Sequence, residues 1–143
     1  MQSNLEEPII AVEKLATPSG TGGRWSFKWR VQNKTTTAIR LLSVRVPHGK
    51  FRADKLVFAP ALEIPAKENR DFQLSISCNE APDSVIENAF LIFAVDWRNQ
   101  QWRFFIRLQV EINRSGVPET SIESITIQRA GFSGLQTGST NDA

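Results

Sequence analysis

The stretch RWSFKWRVQN, residues 24–33, alternates with a period of two. Trp25, Phe27, Trp29 and Val31 fall on one side, and Arg24, Ser26, Lys28, Arg30 and Gln32 on the other. Successive side chains of an extended chain point to opposite faces, whereas a helix repeats every 3.6 residues. Such a segment is a strand with one buried face and one wet face. DFQLSISC, residues 71–78, follows the same rule, with Phe72, Leu74, Ile76 and Cys78 inward. AIRLLSVRVP is less regular: Leu42, Val44 and Val46 share one face while Ile39 and Leu41 share the other, which predicts a bulge. KLVFAP and ALEIP read as two shorter strands, each closed by proline, and IIAVEKL as an edge strand.

Turn-forming residues separate these runs. TPSGTGG (17–23), NKTTT (33–37), PHGK (47–50), PAKEN (65–69) and NEAPDS (79–84) all carry the glycine, proline and Asx chemistry of connections. At most one helical turn is expected, in NEAPDSVIEN. About seven or eight short strands at this spacing predict an antiparallel β-sandwich. The 143 residues suit one domain, assigned to 1–112. NRSGVPET then reads as a hinge, and residues 113–132 as an extension with a possible extra strand, SIESITIQR. Residues 133–143 are small and polar and are expected to be disordered.

Residues 88–113, NAFLIFAVDWRNQQWRFFIRLQVEIN, hold two apolar runs joined by a polar turn. A four-residue loop, Arg98-Asn99-Gln100-Gln101, would set Trp97 opposite Trp102 and Val95 opposite Phe104. Phe93 with Ile106, Leu91 with Leu108 and Ala89 with Val110 would complete the core face. On the outer face Asp96 would meet Arg103 as an opposite-charge pair. That face would also carry Phe90, Ile92, Ala94 and Phe105, flanked by Arg103, Arg107 and Gln109. An apolar patch of this kind marks an interaction surface when it stays exposed.

The patterning of 8–112, chiefly RWSFKWRVQN, DFQLSISC and the 88–112 hairpin, resembles an immunoglobulin-like or fibronectin type III-like β-sandwich. The resemblance is one of architecture. It implies that RWSFKWRVQN and DFQLSISC share one sheet and that the hairpin and AIRLLSVRVP share the other. The cysteine pair of antibody domains is missing, because Cys78 is alone, and without tyrosine there is no tyrosine corner. The fold class expected is therefore all-β, an antiparallel immunoglobulin-like sandwich with a C-terminal extension.

Catalytic chemistry finds little to stand on. One histidine, His48, and one cysteine cannot by themselves build a histidine–thiolate metal site, and no EF-hand loop is present. Gly131-Phe132-Ser133-Gly134-Leu135 lacks the final glycine of a nucleophile elbow. Gly20, Gly22 and Gly23 match neither phosphate-loop pattern, since no Gly-Lys-Ser/Thr follows and position 25 is tryptophan. Cys78 reads as a buried thiol. All four tryptophans fall on inward positions, which favours core packing over a sugar platform. The 17 basic and 15 acidic residues leave a net charge of +2, small for a nucleic-acid binder. Asn33-Lys34-Thr35 and Asn113-Arg114-Ser115 match the glycosylation sequon and read as loop positions.

No enzyme activity, cofactor or metal is expected. The function expected is a noncatalytic protein-interaction or assembly module whose surface comprises Phe90, Ile92, Arg103, Phe105 and Arg107. The partner would be another protein or a second copy, and SIESITIQRAGF would add a strand to it or fold back over its own Phe90, Ile92 and Phe105. The alternative is a carbohydrate- or nucleic-acid-binding sandwich. No run approaches the roughly 18 apolar residues of a membrane helix, and the acidic MQSNLEEPII start has no signal-peptide core, so a cytoplasmic protein is expected.

Overall fold

The computed structural model describes residues 6–130. Its strands are β1 (Ile10–Lys14), β2 (Ser19–Thr21), β3 (Arg24–Asn33), β4 (Ile39–His48), β5 (Phe51–Ile64), β6 (Asn69–Ser77), β7 (Val85–Trp97), β8 (Gln100–Ile112) and β9 (Pro118–Arg129). They form one antiparallel sheet in the order β1-β3-β6-β5-β4-β7-β8-β9, with β2 beside β1 along the same edge of β3. The end strands β1 and β9 approach each other, so the sheet curls into a nearly closed barrel. The all-β, antiparallel expectation holds, and β3 pairs with β6 and β4 with β7, but the two pairs do not lie in separate sheets of a sandwich: β5 joins β6 to β4, and all belong to one continuous sheet. The strand count differs: nine among the described residues, not seven or eight.

Alternation decides which side is inside. Phe27, Trp29 and Val31 of β3 and Phe72, Leu74 and Ile76 of β6 are buried, as are Leu91, Phe93, Phe104 and Ile106 of β7 and β8. Trp29 stacks on Phe27 at 5.2 Å and on Phe72 at 5.8 Å; Phe72 meets Phe93 edge-on at 5.5 Å, and Phe27 meets Phe51 at 5.3 Å. One aromatic chain thus ties β3, β5, β6 and β7 together. The bulge expected in AIRLLSVRVP falls between Leu41 and Ser43, and it lets Ile39, Leu41, Val44 and Val46 all turn inward.

Three local expectations are corrected. KLVFAP and ALEIP belong to one strand, β5. The ladder to β4 jumps from Val57 opposite Ser43 to Leu62 opposite Leu41, so residues 58–61 pair with nothing in β4. Pro60, which has no N–H, sits in that gap and does not end the strand. Second, the β7–β8 hairpin closes two residues tighter than expected. Trp97 faces Gln100, Val95 faces Trp102 and Phe93 faces Phe104. Arg98 and Asn99, at φ of 52° and 60°, form the two-residue turn whose twist matches that of the strands. A slide of two keeps every side chain on its face, so the core set survives while every cross-strand partner changes. Third, Asp96 is not opposite Arg103; it faces Arg40 of β4 and pairs with it at 3.1 Å.

Because Asn tolerates the left-handed region and alanine does not, Asn99→Ala is expected to cost about 1 kcal/mol in urea unfolding. An unchanged midpoint would mean that the turn relaxes to another type.

The hinge expected at NRSGVPET is a compact turn. The Asn113 side-chain oxygen accepts the Ser115 and Val117 N–H groups at 2.9 Å, and Gly116 takes a φ of 84°. Strand β9 then pairs with β8 of the same chain from Ile112–Pro118 to Trp102–Arg129. SIESITIQR is therefore edge-paired to β8. It does not lie across Phe90, Ile92 and Phe105.

Candidate interaction surface

The five residues singled out in sequence share the outer face of β7 and β8. A bulge between Ile86 and Ala89, with Asn88 at a φ of 62°, lets both of these turn inward and sends Phe90 outward. From there the face is built in rows across four strands. One row runs Arg45 (β4), Ile92 (β7), Phe105 (β8) and Thr126 (β9). The next rows run Phe90, Arg107 and Ser124, and Ser43, Ala94, Arg103 and Gln128. Phe90 and Phe105, diagonal neighbours, meet edge to face at 6.5 Å and 87°.

Phe90, Ile92, Phe105 and Arg107 are half-buried and Arg103 is exposed. The aromatic pair and the long side chains beside it shield one another in part, and the remaining faces stay open to solvent. Arg107 approaches Glu123, the extra residue of a bulge in β9, with Nε 3.6 Å from Oε1. Both side chains remain partly open to solvent, so this contact contributes little to stability. Arg45 and Arg103 make no ion pair among the described residues. The face is an apolar strip with a basic margin.

The other sequence features resolve into structural roles. His48 accepts the Lys50 backbone N–H on Nδ1 at 2.9 Å within its turn. Gly22 and Gly23, at φ of 66° and 82°, form the tight turn from β2 to β3. Trp29, Trp97 and Trp102 are buried; Trp25 is half-buried and donates its indole N–H to the Cys78 carbonyl at 2.9 Å. Arg98 lies 4.6 Å over the Trp97 ring and Arg129 5.7 Å over Trp102. Asn33 of the first sequon is fully buried with both ends of its amide bonded. No cluster of three or more His, Cys, Asp or Glu side chains is placed to hold a metal among the described residues. The Gly131–Leu135 motif and the 133–143 tail lie outside the described residues.

No family model and no curated protein matches the chain. Among solved structures it is similar to the X-ray structure of Northeast Structural Genomics Consortium target SoR45, at 10% identity over 96% of this chain and 94% of the other, with a TM-score of 0.29. At that score the likeness carries neither fold nor function.

Burial pushes the Cys78 thiol up to about 11, with Glu80 adding to the rise. The folded protein therefore holds this proton where the unfolded chain, with a value of 9.0, has lost it. The thiol's contribution to stability is complete below pH 9 and is lost as pH rises through about 11. A maleimide reagent at pH 8 is expected to leave Cys78 unlabelled in the native protein and to label it fully in denaturant. Rapid native labelling would show that the thiol is not sealed.

Two features lay outside the sequence reading. One is the Asn33 hydrogen-bond node, concealed because Asn in a turn looks like ordinary turn chemistry. The other is a groove of about 540 Å³ between β5 and β6, lined by Arg24, Arg52, Asp54, Lys55, Gln73 and Ser75 among others. Arg24 was visible as part of a basic face, but nothing local to the sequence shows where two strands part.

Proposed function

We propose that this chain is a noncatalytic protein-interaction or assembly module of the immunoglobulin-like class, presenting the outer face of β7 and β8 to another protein or to a second copy of itself. The observation that carries this reading is the row Arg45–Ile92–Phe105–Thr126 with Phe90 packed against it, an apolar strip with a basic margin on an otherwise polar face. Fully burying a large apolar side chain contributes about 1.5–3 kcal/mol. Part of that is already realised for these half-buried groups, and a partner would supply the remainder. The β3–β6 and β4–β7 pairings support the immunoglobulin-like reading of the architecture. A single buried free thiol suits a reducing compartment, in line with a cytoplasmic site of action.

The carbohydrate alternative wants an open tryptophan face. Trp97 and Trp102 are instead buried against each other at 5.9 Å, each with an arginine over its ring.

A photo-crosslinking residue at Phe105, with one at the wet Lys28 of β3 as control, tests the proposal in the cells that produce the protein. Discrete adducts from position 105 alone are expected, containing either a second copy or another protein. Equal or absent adducts at both positions would end the reading.

A further inference from the structure

Strands β5 and β6 are neighbours in the sheet, yet they pair at a single position, Arg52 opposite Ser77. Strand β6 is paired with β3 along its whole length, from Asn69 to Ser77. Its other edge, from Asp71 to Ser75, pairs with no strand among the described residues, and the contact with β5 there is by side chain, Phe72 meeting Phe58 edge-on at 6.2 Å. Strand β5 is turned the same way: its far edge follows β4 through Ala53, Leu56 and Val57, and its near edge faces the gap. The groove of about 540 Å³ occupies this gap, and both edges line it. That volume lies within the usual range of ligand sites, about 300–1,000 Å³.

Unpaired N–H and C=O groups along a sheet edge are a template for an added strand. The open β6 edge is about five residues long, or roughly 17 Å at 3.3–3.4 Å per residue. The side chains around it set the chemistry of the guest. Arg24, Ser77 and Arg52 are directly opposite one another across β3, β6 and β5, so both guanidinium-bearing side chains leave the same face where the gap opens. Gln73 and Ser75 share that face by parity, and Lys55 also lines the groove. Asp54 is the only acid among the lining residues, against three cations. None of the three makes an ion pair with a described residue. On the inward side the groove is lined by Leu56 and Leu74.

We infer that the β5–β6 gap is a second docking site, independent of the β7–β8 face, that takes an extended acidic peptide as an added strand on β6. Alternate residues of the guest face Leu56 and Leu74 and are apolar. The residues between them are acidic and meet Arg24, Arg52 and Lys55. Backbone hydrogen bonds to the Asp71–Ser75 edge hold the register, the division of labour seen whenever a peptide joins a sheet.

The test uses the full chain and a capped peptide of about seven residues alternating glutamate and valine, enough to span the open edge. Amide NMR shifts at 71–77 and 52–56 should move on titration. The same peptide with lysine for glutamate, and a version N-methylated at alternate amides, should each bind at least tenfold more weakly. Arg24→Glu combined with Arg52→Glu, both at exposed positions, should weaken the glutamate peptide to a similar degree and leave the fold intact by the dispersion of the same spectra. No shift at millimolar peptide would overturn the inference. Binding that ignores N-methylation would overturn it too, since charge attraction without strand pairing would then suffice. Shifts at Phe90, Ile92 and Phe105 in place of the gap would reject this site while favouring the β7–β8 reading, so the two stand or fall separately.

Discussion

Asn33→Ala is expected to remove about 3 kcal/mol or more of stability, a large effect for one small polar side chain. Asn33 ends β3 and is fully buried. Its Nδ2 donates to the Thr37, Ile64 and Pro65 carbonyls at 2.9, 2.9 and 3.2 Å. Its Oδ1 accepts the Thr35 backbone N–H at 2.8 Å and the Thr35 hydroxyl as well. One amide therefore ties the end of β3 to the following loop and to the β5–β6 connection. Each buried polar group left without its partner costs about 1–3 kcal/mol, and alanine strands several at once. Urea unfolding of the two proteins side by side measures the loss. Asn33→Asp sharpens the test through its pH dependence. The new carboxyl would be buried against carbonyl oxygens, which raises its folded pKa above the unfolded value of about 3.9. Its best stability therefore lies below that value and is lost as pH rises through the folded pKa. A loss under about 1 kcal/mol for alanine, or no pH dependence beyond wild type for aspartate, would show that the node is not sealed from water.

Trp29→Ala should cost about 3–5 kcal/mol, the usual range for deleting a large buried aromatic. A domain's whole stability is about 5–15 kcal/mol, so this change approaches unfolding. The reason is position: Trp29 is completely buried between Phe27 and Phe72, in the aromatic chain that links the two sides of the barrel. Trp29→Phe makes the informative contrast. The Trp29 indole N–H is buried with no hydrogen-bond partner among the described residues. Phenylalanine leaves a smaller void and removes that unsatisfied donor, so the two effects oppose each other. A cost under about 2 kcal/mol is expected. Should phenylalanine prove as damaging as alanine, the indole N–H has a partner and the packing account is incomplete.

These two residues also mark what the sequence makes legible. Trp29 was visible because strand parity is strictly local: each side chain's face follows from its neighbours two residues away. The same parity placed Phe90, Ile92, Phe105, Arg103 and Arg107 on one outer face. Register was not legible, because sliding the β7–β8 hairpin by two leaves every face unchanged. Only the turn decides, and Arg98-Asn99 lacks the Asn-Gly signature of its type. Strand β5 misled for a related reason: a proline ends a strand only where its missing N–H was needed, and Pro60 falls where the ladder to β4 is open. Asn33 bonds a carbonyl 31 residues away and the β5–β6 gap opens beside the pairing of Arg52 with Ser77, so both depend on segments beyond the reach of any local pattern.

The order of strands along the chain and their order in the sheet diverge in a way that bears on how the protein is made. Strands β7, β8 and β9 are consecutive in both, a meander closed by short turns. Strand β3 instead waits for β6, its partner along nearly its whole length, and β4 waits for β7. Loop closure across such spans slows pairing relative to adjacent hairpins. During synthesis the apolar side of β3, with Phe27, Trp29 and Val31, emerges well before β6 exists to shelter it. The N-terminal half thus passes through an interval in which its stickiest surface is bare, and the speed of translation through β4 and β5 sets how long that interval lasts.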